Sequence, residues 1–147
     1  MEEVSVRIKR IDKHLPLPQY AYPGDAGVDL RCTEPVTLQP GERAVVPTGI
    51  ALELPQGYAA LVLPRSGLAA RQGISVVNAP GLIDSNYRGV IKVILLNTDL
   101  QTTFHAERGE RIAQLVVIRT EQVIFTETDD LCASTRGEGG FGSSGVS

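Results

Sequence analysis

Residues 90–97 of the chain read VIKVILLN, a run that is almost entirely apolar. A short apolar run enriched in Val and Ile favours a β-strand over a helix. Because almost no polar residue interrupts it, we expect this strand to lie in the centre of a sheet with both of its faces covered. This segment therefore predicts that the fold contains a β-sheet with residues 90–97 as one of its central strands.

Short strand-like segments lie on both sides of this run, and turn signals such as Pro40-Gly41 separate several of them. The sequence predicts strands at residues 4–9, 36–38, 43–46, 50–54, 58–63, 74–77, 111–118 and 122–126. One segment, Ser66–Gln72, is predicted to be a helix that Ser66 caps and Gly73 ends. Many short strands at regular spacing predict an all-β fold, a jelly-roll-like barrel or sandwich with one short helix.

The chain has 147 residues, enough for one domain with its own core. Residues 1–135 carry the strand pattern and are predicted to form the β-rich domain. Residues 136–147 are rich in Gly and Ser and have little apolar surface to bury, so they are predicted to form a flexible C-terminal tail.

The bulk composition excludes several classes of function. A net charge of −3 argues against a nucleic-acid-binding surface, although a few Arg residues can still bind a small anion. The acidic N-terminus lacks the pattern of a signal peptide and no apolar run reaches the length of a membrane span, so we expect a cytoplasmic protein. Cys32 and Cys132 form no C-x-x-C pair and are interpreted as free thiols in a reducing compartment. His14 and His105 lack metal-ligand spacing and are interpreted as structural or exposed.

Five segments carry more polar chemistry than strands and turns need. They are Gly24–Leu30, Pro64–Ala69, Asn78–Gly89, Gly109–Leu115 and Arg136–Gly145. Each has an ordinary explanation when it is taken alone: a turn, a capped helix, a hairpin loop, a turn into a strand, and a disordered tail.

Each segment also has a functional interpretation. One Asp in the first segment suits a hydrated Mg²⁺, which prefers oxygen ligands and keeps several waters. The second segment combines a helix N-terminus with Arg65 and Ser66, a combination that suits an anion. The third mixes Asp, Asn, Tyr and Arg in a long loop, as ligand pockets do. In the fifth, glycines surround Arg136 and Phe141, which is typical of a lid that closes over phosphates.

Together and in this order, the five segments resemble the motifs of the homotrimeric deoxyuridine triphosphatases, from Gly24 to Gly145. The resemblance implies a β-rich jelly roll and a homotrimer whose active sites lie between subunits. It implies Mg²⁺-dependent hydrolysis of dUTP to dUMP and pyrophosphate, by attack of water on the α-phosphorus. That reaction limits uracil in DNA and supplies dUMP for thymidylate synthesis. It further implies that the C-terminal tail reaches the site of a neighbouring subunit.

The resemblance also implies a role for each matching residue. Asp84 is the general base, and Asp29 contacts Mg²⁺ through water. The remaining roles fall into two groups. The phosphates are bound by Arg65, Ser66, Gly67, Gln114, Arg136, Ser143 and Ser144. Uracil and deoxyribose are bound by Asn78, Tyr87, Ile91, Lys92 and Phe141, with Tyr87 excluding a 2′-hydroxyl and Phe141 stacking over the base.

Two positions depart from the commonest pattern of the family, since Asn86 stands where many members have Asp and Val90 where many have a polar residue. Three alternatives remain open at the level of the sequence. They are a dCTP deaminase or bifunctional deaminase–triphosphatase, a nucleotide-binding regulatory module without turnover, and a structural jelly-roll protein. Asp84 and the Gly-Phe-Gly tail favour the plain triphosphatase.

Overall fold

The computed structural model describes residues 2–147, and these form ten strands and one short helix. The strands are β1 (Arg7–Arg10), β2 (Val28–Arg31), β3 (Val36–Leu38), β4 (Arg43–Glu53), β5 (Tyr58–Leu63), β6 (Ile74–Val76), β7 (Gly81–Ile83), β8 (Val90–Asn97), β9 (Phe104–Ala106) and β10 (Arg111–Arg119), and the helix is α1 (Ser66–Gln72). Within these residues no helix is long and apolar enough to cross a membrane.

The strands form three antiparallel sheets. One has the order β1-β4-β8-β6, a second the order β2-β10-β5-β7, and β3 pairs with β9 in the third. Neighbours in the two larger sheets are mostly distant in sequence, as in a jelly roll. The all-β, jelly-roll-like fold with one short helix is therefore confirmed.

The core lies where side chains from the two four-stranded sheets meet. Leu30 of β2, Ile112 of β10, and Ile91 and Leu95 of β8 are each at most 1% exposed. Burying a side chain of this size contributes about 1.5–3 kcal/mol. The core therefore fixes β2, β8 and β10, three of the strands that carry predicted site residues.

The strand Val90–Asn97 has the predicted bounds, and it lies between β4 and β6 as expected. The prediction that both its faces are covered is wrong. Burial alternates along the strand, with Ile91 and Val93 buried and Lys92 between them exposed. In a single chain only one face of this sheet packs on the core, so the second face remains partly open.

Some predicted boundaries are corrected. Residues 43–46 and 50–54, expected as two strands around Pro47-Thr48-Gly49, are joined in the single strand β4, which ends at Glu53 and has a shift in its register against β8 between Pro47 and Ala51. The first strand begins at Arg7 rather than residue 4. Helix α1 has the predicted range and ends at Gly73 in the left-handed conformation (φ 67°), but Arg65 is its N-cap, and Ser66 is the first helical residue.

The strand predicted at residues 122–126 is wrong for the isolated chain. The segment has no regular secondary structure, and Val123, Ile124 and Phe125 are 67%, 89% and 91% exposed. A strand pattern alone cannot form a strand, because the backbone also needs a neighbouring strand to pair with. The chain leaves the body of the fold after Thr120, whose N–H donates to Gly57 O (2.9 Å).

An ion pair ties the loop after β1 to the turn between β9 and β10. The Arg108 guanidinium donates to both carboxylate oxygens of Asp12 and to the carbonyl oxygen of Thr33 (2.9 Å). Hydrogen bonding from Arg108 holds the pKa of Asp12 below its ordinary value of 3.8. A carboxyl group with a lowered pKa stabilises the folded state above its unfolded pKa, and that contribution is lost as the pH falls through the folded pKa.

We therefore expect Asp12→Asn to lower the Tm at neutral pH, and the difference from wild type to shrink below about pH 4. Thermal denaturation of both proteins between neutral pH and about pH 3 measures this. Glu34→Gln removes an exposed carboxylate from a nearby loop and is the matched control. A Tm difference that stays constant down to low pH would show that the charge of Asp12 does not stabilise the fold.

Candidate functional site

Asp29 lies at the centre of a cluster of charged side chains at one end of the second sheet. Its Oδ1 is 3.1 Å from Nε of Arg65, and its Oδ2 is 3.4 Å from Nη1 of Arg111. The side chains of Asp29 and Arg65 are 27% and 29% exposed, so the pair is half-buried. The predicted metal-contacting carboxylate and the predicted phosphate-binding guanidinium are therefore in direct contact.

Strand β10 brings Gln114 into the same cluster. In the ladder Gln114 stands opposite Asp29 on β2 and opposite Leu63 on β5. Its Nε2 donates to Pro64 O (2.9 Å), next to Arg65. A Cβ added at Gly27 would lie 2.8 Å from Gln114 Oε1, so a larger residue at this position would displace the end of the Gln114 side chain.

The start of helix α1 completes this half of the site. Ser66 and Gly67 are its first two residues, and they directly follow Arg65. The first N–H groups of a helix have no partner within it and are free to bind an anion. A cavity of about 370 Å³ lies beside this cluster and is lined by Arg31, Arg65 and Arg111 among others. Four of the predicted phosphate-binding residues, Arg65, Ser66, Gly67 and Gln114, are thus brought together.

Arg111 is a member of the cluster that the sequence reasoning did not single out. Besides its contact with Asp29, its carbonyl oxygen accepts a hydrogen bond from Nη1 of Arg65 (3.1 Å). The register of β10 against β2 shifts between Arg111 and Ala113, and a β-bulge of this kind changes the direction of a side chain. Arg111 lies within the predicted segment Gly109–Leu115, but a regular alternation along the strand does not predict the direction of its side chain.

Asp84 lies elsewhere, in the loop after β7. It is exposed, and its carbonyl oxygen accepts from the N–H of Tyr87 (3.1 Å). The Tyr87 hydroxyl donates to Val90 O (3.0 Å), and a Cβ added at Gly89 would overlap the Tyr87 ring. The loop therefore holds Tyr87 in one orientation, with its side chain 43% exposed, and presents the Asp84 carboxylate to solvent.

Of the other predicted base-binding residues, Asn78 lies between β6 and β7, and Ile91 and Lys92 lie on β8. Asn78 is exposed, and its amide group lies over Gly81, where a Cβ would be 3.5 Å from Nδ2. Ile91 is a core side chain whose carbonyl oxygen accepts from Thr48 Oγ1 (2.7 Å), so its side chain does not face a ligand. Lys92 is exposed on the opposite face of the strand.

Within the same chain, the C-terminal tail contributes no side chain to the cluster around Asp29 or to the loop that carries Asp84. Within residues 121–147 every residue except Gly139 is exposed, and Phe141 has a fully exposed side chain and a positive φ of 50°. Local hydrogen bonds shape the tail, since Arg136 Nε donates to Gly139 O (2.6 Å) and Ser143 N–H to Gly140 O (3.1 Å). The predicted residues Arg136, Phe141, Ser143 and Ser144 thus lie together but apart from the body of the fold.

The two halves of the predicted site are far apart within one chain. Strands β5 and β7 are antiparallel, with Ile83 opposite Ala60 and Gly81 opposite Val62. Arg65 follows β5 and Asp84 follows β7, so they lie beyond opposite ends of the shared ladder. Asp84 lies beside Ala59 in this register, six residues of extended chain from Arg65. The two residues are therefore separated along the strand direction by a distance on the order of 20 Å, at about 3.3 Å per residue.

The donors around Asp29 fit a hydrated divalent cation and not a protein-enclosed one. Within residues 2–147 no group of three or more His, Cys, Asp or Glu side chains could hold a metal ion. One accessible carboxylate among hydrogen-bond donors is enough for Mg²⁺, which keeps several waters and takes further ligands from substrate phosphates. Asp29 is the residue that would contact such an ion through water.

Comparison with known proteins gives consistent results. The dUTPase family model matches residues 13–145. The deoxyuridine 5′-triphosphate nucleotidohydrolase of Thermobifida fusca is 62% identical over 142 residues, covering 97% of this chain and 79% of the relative. That of Rhodococcus erythropolis is 55% identical over 144 residues, covering 98% and 88%. The dUTPase of Staphylococcus bacteriophage 80alpha, solved with dUPNHPP, superposes with a TM-score of 0.89 at 29% identity, covering 97% of this chain and 99% of the phage chain.

Proposed function

The chain belongs to the dUTPase family, and from that premise we propose that it hydrolyses dUTP to dUMP and pyrophosphate. The observation that carries the proposal is the contact between Asp29 and Arg65, with Gln114 and the start of α1 beside them. This cluster offers a carboxylate for a metal ion and a guanidinium with hydroxyl and backbone donors for phosphates. A structural jelly-roll protein has no need for such a set of groups.

The triphosphate binds at the cluster around Asp29. Arg65 uses Nε and Nη1 for protein contacts, which leaves further N–H donors for phosphate oxygens. Ser66 and Gly67 add a hydroxyl and backbone N–H groups, and Gln114 adds an amide group. Positive groups fixed before the substrate arrives stabilise the charge that develops on the leaving pyrophosphate.

Asp84 is the general base. Its carboxylate takes a proton from the water whose oxygen forms a bond to the α-phosphorus. The bond between that phosphorus and the oxygen bridging to the β-phosphorus breaks, and the bridging oxygen leaves with pyrophosphate. A positioned carboxylate base contributes about 10²–10⁴-fold in rate.

Mg²⁺ is the metal that suits this chemistry. When bound, it neutralises phosphate charge and orients the phosphates for in-line attack. The support in this chain is Asp29, a half-buried carboxylate beside phosphate-binding groups, in a protein whose net charge is −3. Without a bound cation, two or three Arg side chains would have to balance the whole triphosphate.

The enzyme acts as a homotrimer with active sites between subunits. The supporting observation is the separation of Asp84 and Arg65 in one chain, on the order of 20 Å along β5. A base and a phosphate-binding group that act on one triphosphate must both lie within a few ångströms of it. Asp84 of one subunit must therefore act with Arg65 of a neighbour.

The exposed apolar segment 122–126 also supports assembly. Val123, Ile124 and Phe125 are mostly exposed in the single chain. Each would gain about 1.5–3 kcal/mol on full burial, and a soluble monomer rarely exposes so much contiguous apolar surface. We assign this segment to contact with a neighbouring subunit, which also carries residues 136–147 away from their own chain.

Residues 136–147 form the lid of the neighbour's site. Arg136 binds phosphate bidentately, Ser143 and Ser144 add hydroxyl groups, and Phe141 stacks over uracil. The support is the exposure of all four side chains together with a glycine-rich backbone, which can curl around phosphates. Such a lid excludes water other than the attacking one.

The loop from Asn78 to Gly89 and the adjoining strand select the nucleoside. The orientation of Tyr87, fixed by Val90 O and Gly89, supports its role in packing on deoxyribose and rejecting a 2′-hydroxyl. Asn78 and backbone groups near Ile91 and Lys92 read uracil. A backbone that closely approaches C5 of the base would reject thymine more firmly than a permissive apolar pocket, where one methyl group is worth about 1–3 kcal/mol.

We place the enzyme in the cytoplasm, without nucleic-acid or membrane partners. The net charge of −3 supports the lack of a nucleic-acid partner. Its partners are dUTP and the other subunits.

We expect Mg²⁺-dependent pyrophosphate release from dUTP, and little from dTTP, dCTP or UTP. The assay measures pyrophosphate from each nucleotide at equal concentration, with Mg²⁺ or with a chelator. Ammonia release from dCTP would identify a deaminase, and binding of dUTP without turnover of any nucleotide would identify a regulatory module. Comparable turnover of dTTP would contradict the proposed closeness of the backbone to C5.

Asp84→Asn is the matched catalytic control for this assay. It keeps the size and hydrogen-bonding capacity of the side chain but removes the base, so kcat should fall by about 10²–10⁴-fold while dUTP still binds. Full activity of this variant would refute the assignment of the base.

Deletion of residues 136–147 should lower kcat/KM sharply while the trimer persists, because the segment lies outside the packed core. Steady-state kinetics and size-exclusion chromatography with light scattering measure the two properties. Phe141→Ala, which removes only the stacking face, should fall between wild type and the deletion. Unchanged turnover after the deletion would exclude a lid.

Mixed trimers test the shared site. Arg65→Ala and Asp84→Asn should each be inactive alone, but trimers that contain both variants should have activity at roughly one site in three, because one of their three interfaces pairs an intact Asp84 with a neighbour's intact Arg65. Different affinity tags on the two variants isolate the mixed trimers before the assay. Purified mixed trimers without activity would show that both residues act within one chain.

A further inference from the structure

We propose that Arg111 is a positioning residue, which holds Asp29 and Arg65 in place before Mg²⁺ and the triphosphate bind. The inference rests on the proposed function and assigns a role to a residue that the sequence analysis did not name within the segment Gly109–Leu115. It is carried by three observations: the bulge that redirects Arg111, the contact of its guanidinium with Asp29, and the contact of its carbonyl oxygen with Arg65.

The bulge explains why Arg111 and Gln114 share one side of β10. In a regular strand, side chains alternate, so residues three apart point to opposite faces. Here Ile112 and Ala113 are both buried, whereas Arg111 is exposed and Gln114 half-buried. The extra residue in the strand thus places the side chains of Arg111 and Gln114 on the side of the sheet that carries Asp29. Bulges are frequent beside active sites because they redirect a side chain in this way.

The two contacts of Arg111 fix different members of the cluster. Its Nη1 lies 3.4 Å from Asp29 Oδ2, on the carboxylate oxygen that Arg65 does not contact. Its carbonyl oxygen accepts from Arg65 Nη1 (3.1 Å). Arg65 is therefore restrained at Nε by Asp29 and at Nη1 by the Arg111 backbone, and Asp29 is restrained at both oxygens.

The arrangement matters when the triphosphate arrives. Phosphate oxygens then compete with Asp29 for the N–H donors of Arg65. If Arg65 were the only cation beside Asp29, stronger binding of phosphate would leave the carboxylate free to rotate next to a polyanion. The Arg111 guanidinium stays beside the Asp29 carboxylate throughout, so the carboxylate would remain in position to contact a hydrated metal ion. A residue that orients a metal-contacting group typically contributes about 10–100-fold to metal affinity or activity.

The test compares Arg111→Met with wild type, because Met keeps the aliphatic stem and removes the charge. Arg43→Met is the matched control, since Arg43 is also an exposed first residue of a long strand. Calorimetry measures the affinity of each intact trimer for dUPNHPP with and without Mg²⁺, and kinetics with dUTP give kcat and KM. We expect Arg111→Met to reduce the gain in affinity that Mg²⁺ provides, and kcat/KM, by about 10–100-fold. Arg111→Lys should recover part of both, because it keeps a cation without the planar guanidinium.

A double-variant cycle with Asp29→Asn separates positioning from general folding effects. If Arg111 acts through Asp29, the double variant should lose no more than Asp29→Asn alone, because coupled residues are not additive. Additive losses, or an Arg111→Met variant that behaves like Arg43→Met, would overturn the inference while wild-type activity upholds the proposed function. A wild-type protein that neither binds nor hydrolyses dUTP would overturn both.

Discussion

The double pairing of β10 is the constraint on which the rest of the site depends. This strand lies between β2 and β5, and Gln114 stands opposite Asp29 on one side and Leu63 on the other. The backbone ladder thereby brings together three chain segments that are distant in sequence. Buried side chains such as Leu30, Ile112 and Leu115 fix the register, since a shift of one residue would turn the apolar face toward solvent. Packing of the core and geometry of the site are thus set by the same strand.

The same ladder also keeps the proposed base and the proposed phosphate-binding groups apart. Antiparallel pairing of β5 with β7 directs the loops that follow them to opposite ends of the sheet. One end carries phosphate-binding groups and the other a carboxylate on a loop held by Tyr87. Each half is well defined without the other, because backbone hydrogen bonds and close glycine contacts shape both. An assembly of several chains is the economical way to combine two such halves.

The sequence predicts the local structure well where one physical signal dominates. The apolar run of β8 and the helix ended by Gly73 were found with their bounds, because their signals are local. The segment 122–126 was mispredicted, since its pattern is that of a strand but its pairing partner is not supplied by its own chain. Arg111 was missed because its orientation depends on a bulge against β2, which no pattern within β10 records. The contact of Asp29 with Arg65 cannot be predicted from a local pattern, because it depends on the pairing of β10 with both β2 and β5.

The distance between Asp84 and Arg65 has a consequence for the life of the chain in the cell. In the proposed trimer each chain holds only part of each active site. Catalysis by such an enzyme would require association of chains, so the activity per molecule would rise with the concentration of the protein.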